Sequence, residues 1–265
     1  MHVYQYRRKI AAALRIVIAV QFMIISLCDV SGLHFRVAPV TGNFLDLAVK
    51  PFKEAAKTLV FRYTTFGAPK YSYNIEPAQL ALLVNEIDRL RDVKGNIVEI
   101  GVARGLTARF LCQHLVNERL DKTLTLYAVD TFASFVPADL DYEVKARGKS
   151  MREMRGFAYN DYDVWRRNFA AYPFVQAIQA DCSAVDYSRL APIKIAFLDV
   201  DLYLPTKKTL PKLYDVLVDG GVILVDDVLN AMTYDGAYQA YMEFCQERAI
   251  TPKIVGNKCG VIYKK

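Results

Sequence analysis

The sequence predicts an α/β fold: a mostly parallel sheet covered by helices on both faces, with an antiparallel hairpin at the C-terminal end. Three observations predict it. Short apolar, β-rich runs alternate with amphipathic stretches from residue 97 onward, and strands that read as continuous apolar runs are those buried on both faces. The last two runs, Lys253–Val255 and Val261–Tyr263, are separated by little more than Gly256-Asn257-Lys258, a spacing that only a hairpin allows. The chain has 265 residues, 53% apolar and 23% charged, which is enough to build a large core without staples and excludes a disordered or fibrous chain.

The elements follow in order. Residues 44 to 62 read as a helix on the spacing of Phe44, Leu45, Ala48, Phe52, Ala55 and Leu59, and residues 87 to 92 as another. Strands are predicted at Ile97–Ile100, Leu124–Val129, Val175–Ile178, Ile193–Leu198 and Val222–Val225, followed by the two hairpin strands. Helices are predicted between them at Leu106–Glu118, Tyr162–Ala171, Pro205–Val218 and Tyr234–Arg248. Pro137 to Tyr159 is charged and has no clear period, so it reads as a cap or substrate loop over the strand ends.

Residues 1–43 form a basic, hydrophobic extension ahead of a catalytic domain at 44–265. Of a net charge of +6, four charges sit on Arg7, Arg8, Lys9 and Arg15, ahead of the first acid, Asp29, which leaves +2 for everything after residue 15. That distribution argues for a membrane surface at the N-terminus and against a nucleic-acid groove on the body. The run from Ile10 to Cys28 admits several readings: a spanning helix with Arg15 snorkelling, a secretory signal without a small-x-small cleavage site, an amphipathic helix on a membrane or on a partner subunit, or a loosely packed leader. Attachment of residues 1–33 to the cytoplasmic face of a membrane is the expectation. Five cysteines, without a C-x-x-C pair, suit a reducing cytosol rather than a disulfide framework. Of the three histidines, His2 and His34 lie in the extension and His114 falls mid-helix. Chemistry that needs a positioned imidazole is therefore disfavoured.

Chemistry collects at the strand ends. Val98-Glu99-Ile100-Gly101-Val102-Ala103-Arg104-Gly105 is a strand that ends in an acid and a glycine turn and opens a helix. Such a turn lets backbone approach a nucleotide, although the third glycine of a dinucleotide fingerprint is missing. Asp130 ends the next strand, where a carboxylate holds a ribose diol, and Asp181 follows the third, where it would meet an adenine amino group. Asp199 and Asp201 follow the fourth strand, and Asp226 and Asp227 the fifth. Adjacent strand ends lie about 5 Å apart, so at least three of these four acids should converge and call for a cation or a shared proton. Hard oxygen ligands without His or Cys point to Mg²⁺, Ca²⁺ or Mn²⁺.

Taken together, E-I-G-V-x-R-G, D-T-F, D-x-D-L-Y-x-x-T, D-G-G and V-D-D resemble the macrocin O-methyltransferase family, which acts on sugar hydroxyls of macrolide and aminocoumarin antibiotics, over roughly Phe44 to Tyr263. The resemblance implies a class I methyltransferase (Rossmann-like) fold with a seven-stranded sheet, S-adenosylmethionine as methyl donor and Mg²⁺ as cofactor. It implies Asp199, Asp226 and Asp227 as metal ligands, Asp201 as general base, and Glu99, Gly101, Val102, Gly105, Asp130 and Asp181 around the donor. The chain departs from the family pattern at Tyr203-Leu204-Pro205-Thr206, Val228 and Asp130-Thr131-Phe132-Ala133-Ser134. A nicotinamide-dependent oxidoreductase is the rival enzyme, disfavoured by the missing glycine and the carboxylate cluster. A non-catalytic, membrane-tethered binding module would leave the acids at the strand ends without a purpose.

Overall fold

The computed structural model describes residues 43–65, 68, 71, 73–154, 156–230 and 233–265. The apolar run from Ile10 to Cys28, its basic flank, His2 and His34 lie outside them. Contacts divide the chain into two units, Met1–Tyr71 and Ser72–Lys265, where the sequence suggests a boundary at 43/44. In the first unit one helix, α1 (Asn43–Tyr63), carries Pro51 and exposes Phe52, Leu59, Phe61 and Tyr63. Among the described residues, no helix is long and apolar enough to cross a membrane.

The second unit opens with α2 (Pro77–Arg89), entered through a capping box in which Glu76 and Gln79 satisfy each other's backbone N–H groups. The expected helix at 87–92 is thus longer and earlier. Its inward face carries Gln79 and Glu86 as well as Leu83 and Ile87, which breaks the apolar period. Then follow β1 (Asn96–Ile100), α3 (Leu106–Asn117), β2 (Leu126–Asp130), α4 (Pro137–Lys145), α5 (Tyr162–Asn168) and β3 (Val175–Gln179). After two short 3₁₀ turns come β4 (Ile193–Leu198), α6 (Tyr203–Val216), β5 (Leu217–Val225), α7 (Gly236–Glu247), β6 (Ile254–Val255) and β7 (Cys259–Tyr263).

The seven strands form one sheet in the order β3-β2-β1-β4-β5-β7-β6. β1 to β5 run parallel, and β7 pairs antiparallel with β5 and β6. This is the class I methyltransferase topology that the sequence motifs imply. Side chains alternate across the sheet, so each strand feeds two cores. Ile97, Ile195, Phe197, Val222 and Leu224 pack with Leu83 and Ile87 of α2 and Leu111 and Leu115 of α3. Val98, Ile100, Leu198, Ile223 and Val225 pack with Leu210 and Leu213 of α6 and Tyr241 and Phe244 of α7. Each such side chain contributes about 1.5–3 kcal/mol on burial.

The stretch read as an irregular cap contains α4. Its inward face is made by Asp139 and Glu143, one turn apart and both buried, so no apolar period marks it.

Candidate active site

The carboxyl ends of β1, β2, β4 and β5 open into a cavity of about 490 Å³. At β1 the backbone turns sharply at Gly101, with φ +80°; a Cβ there would lie 1.7 Å from the Asp199 carbonyl oxygen. The glycine is required by this close approach of β1 to the β4 end. Asp199 N donates to Ile100 O at 2.8 Å, and Asp226 N to Leu198 O at 2.9 Å, so the ladder of the three central strands extends one step beyond their ends and brings both carboxylates over the same edge.

Asp130 ties the glycine turn. Its Oδ2 accepts the Val102 and Ala103 N–H groups at 2.8 and 3.1 Å, while Oδ1 accepts the Phe132 N–H at 2.6 Å. Glu99, Gly101, Val102, Asp130 and Asp181 all line the cavity. Asp181 also caps the following 3₁₀ turn through Ser183 N at 2.8 Å. Gly105 does not line it. Its φ of +83° and the rings of Phe169 and Trp165, which a Cβ would meet at 2.6 and 2.9 Å, show a packing role under α5. Glu99 is almost completely buried, and its Oε2 has no hydrogen-bond partner among the described residues. Burial pushes its carboxyl well above the usual range, against a backbone hydrogen bond at Ala108.

Across the cavity floor, one carboxylate oxygen from each of Asp199, Asp226 and Asp227 lies within 4.8 Å of the others. Asp201 and Asp227 hold left-handed backbone, with φ of +61° and +57°, a conformation that costs a non-glycine residue roughly 1–3 kcal/mol and collects at functional sites. Burial, then the neighbouring Asp226, raises the Asp199 carboxyl well above its ordinary value; burial, then Asp227, does the same for Asp201. The donors are all hard oxygens, so the set fits a divalent cation. Tyr203, two residues after Asp201, is engaged elsewhere: its hydroxyl donates to Glu243 at 2.8 Å and its ring stacks on Tyr142.

Two participants escaped the sequence. Lys258, in the β6–β7 turn, places its ammonium 2.9 Å from Asp226 Oδ2 and 2.7 Å from Asp227 Oδ1. Burial pulls its pKa down, but the two carboxylates outweigh it and the net shift is upward. A lysine in a turn reads as solvated, so no local signal marks it. Asp139 of α4 lines the cavity near Asp181, its carboxyl raised by burial against the pull of Lys208.

The macrocin O-methyltransferase family model matches residues 70–265. The chain belongs to this family. As a macrocin-type methyltransferase it is an O-methyltransferase that uses S-adenosylmethionine, and its solved neighbours share the fold. The O-methyltransferase NovP is 20% identical, with a TM-score of 0.54 over 70% of this chain and 78% of that one. The calicheamicin methyltransferase CalS11 is 16% identical, with a TM-score of 0.57 over 81% of this chain and 92% of that one. No curated protein matches the chain.

Proposed function

We propose that this methyltransferase acts on a hydroxyl of a sugar or glycosylated small molecule, assisted by a divalent cation at Asp199, Asp226 and Asp227. The observation that carries the reading is the convergence of these three carboxylates within 4.8 Å, beside a donor cleft, in a member of the macrocin O-methyltransferase family. S-adenosylmethionine, when bound, supplies the methyl group on a sulfonium leaving group. A divalent cation, when bound, would orient the acceptor hydroxyl and lower its pKa.

The chain's own residues do the rest. Gly101 and Val102 give backbone access at the donor cleft, with Asp130 assigned to the ribose and Asp181 to the adenine. Glu99 carries a buried oxygen without a partner on that wall, suited to a donor group from the ligand. Asp201 takes the hydroxyl proton as the methyl group moves, a contribution of about 10²- to 10⁴-fold. Holding the hydroxyl in line with the methyl carbon and sulfur adds up to about 7–11 kcal/mol. No covalent nucleophile is required, which fits a site without histidine among the described residues. Calorimetry tests the reading: S-adenosylmethionine should bind and NAD should not, and added Mg²⁺ should produce its own binding heat.

Residues 1–33 are proposed to attach the enzyme to the cytoplasmic face of a membrane. The support is the basic cluster Arg7, Arg8, Lys9 and Arg15 beside the apolar run, together with a donor that is made in the cytosol.

A further inference from the structure

We infer that Lys258 is a tethered competitor for the cation site, an internal ammonium that occupies the carboxylates until a divalent ion displaces it. The inference rests on the cation reading above.

Lys258 Nζ bridges Asp226 Oδ2 and Asp227 Oδ1 at 2.9 and 2.7 Å, and Gln79 Nε2 donates to the other oxygen of Asp226 at 2.6 Å. Both oxygens of Asp226, and one of Asp227, are therefore engaged by protein donors, on two of the three carboxylates that would hold the ion. The backbone that delivers the lysine is fixed. Lys258 O accepts from Val228 N at 2.8 Å, next to Asp227, and Glu76 grips the preceding Asn257 through its backbone N–H and side-chain amide at 3.0 and 2.7 Å. The side chain is not fixed in the same way. It ends in a point charge on a flexible four-carbon stem, and it lines the cavity, which gives it somewhere to go.

A buried cluster of carboxylates is unfavourable without a counter-charge. Lys258 supplies one from within the chain, so the ion-free protein keeps its strand ends in place, and an arriving ion must replace a pre-formed ion pair. Cation affinity is then set by the difference between two partners for the same oxygens. A lysine that stayed in place beside the bound ion would also weaken its binding by repulsion, but its ammonium would be no more accessible with the ion bound than without it.

The test titrates Mn²⁺ into the full-length protein and into Lys258→Met and Lys258→Arg by calorimetry. The Met variant should bind one Mn²⁺ at least about tenfold tighter, the usual scale of a close charge pair, and Arg, which keeps the charge, should bind no tighter than the parent. Adding Asp199→Asn to Lys258→Met should remove the gain, which places it at this cluster. A second measurement needs no variant: amine-reactive labelling of Lys258 in the parent, read by mass spectrometry, should increase when Mn²⁺ is added. Equal or weaker Mn²⁺ binding by Lys258→Met, or labelling that Mn²⁺ leaves unchanged, would overturn the competitor role while the cation reading stands. Absence of Mn²⁺ binding to both the parent and Lys258→Met would overturn both.

Discussion

The Asp130 carboxylate accepts the backbone N–H of Val102 at 2.8 Å, so the acid that ends β2 holds the glycine turn that ends β1. The same oxygen takes Ala103 and the other takes Phe132. The residue proposed to hold the ribose is therefore also the clamp that shapes the glycine turn. Asp130→Ala should weaken S-adenosylmethionine binding by about 1.5–3 kcal/mol, the value of hydrogen bonds to a charged group, or roughly tenfold to over a hundredfold in Kd. Unchanged affinity in calorimetry would remove Asp130 from the donor site.

Glu99 should make the protein less stable as pH rises. Its folded-state pKa is raised by burial. Above the ordinary glutamate value of about 4.3 the unfolded chain therefore loses a proton that the native state keeps, and stability falls until the folded pKa is passed. Glu99→Gln removes this pH dependence. Its melting temperature should exceed the parent's at pH 8, with the difference closing by pH 4; parallel pH profiles for the two proteins would count against the assignment.

Asp201→Asn tests the base. It should lower kcat by about 10²- to 10⁴-fold and leave Mg²⁺ affinity within a few-fold, because the amide keeps the shape of the side chain and the three proposed ligands are intact. Retention of most of kcat would place proton removal elsewhere.

Much of this site was legible in the sequence because strand ends are written twice, as an apolar run and as the acid that closes it. Phe197-Leu198-Asp199 and Leu224-Val225-Asp226 fix both position and direction, and the parallel order then brings the acids together. What stayed hidden depends on contacts far apart in the chain. Lys258 meets Asp227 across 31 residues, and a lone lysine beside a turn glycine carries no periodic signal. Helix α4 was hidden for the opposite reason: the residues it buries, Asp139 and Glu143, belong to types that mark a surface. The family resemblance implies Gly105 at the donor, whereas its neighbours are the rings of Trp165 and Phe169.

The N-terminal proposal has a simple physical check. Four basic residues near an anionic surface would contribute about 1 kcal/mol each, on top of the apolar run that follows. Cell fractionation should place the full-length protein with membranes and release it with detergent; recovery in the soluble fraction, indifferent to detergent, would favour packing of that run against a second subunit.

The most direct test of cation-assisted methyl transfer is the formation of S-adenosylhomocysteine with a panel of glycosylated acceptors, measured with excess EDTA and again after Mg²⁺ is restored. Turnover should disappear in chelator and return with Mg²⁺, and Asp199→Asn should abolish the return. Full turnover in EDTA would contradict cation assistance.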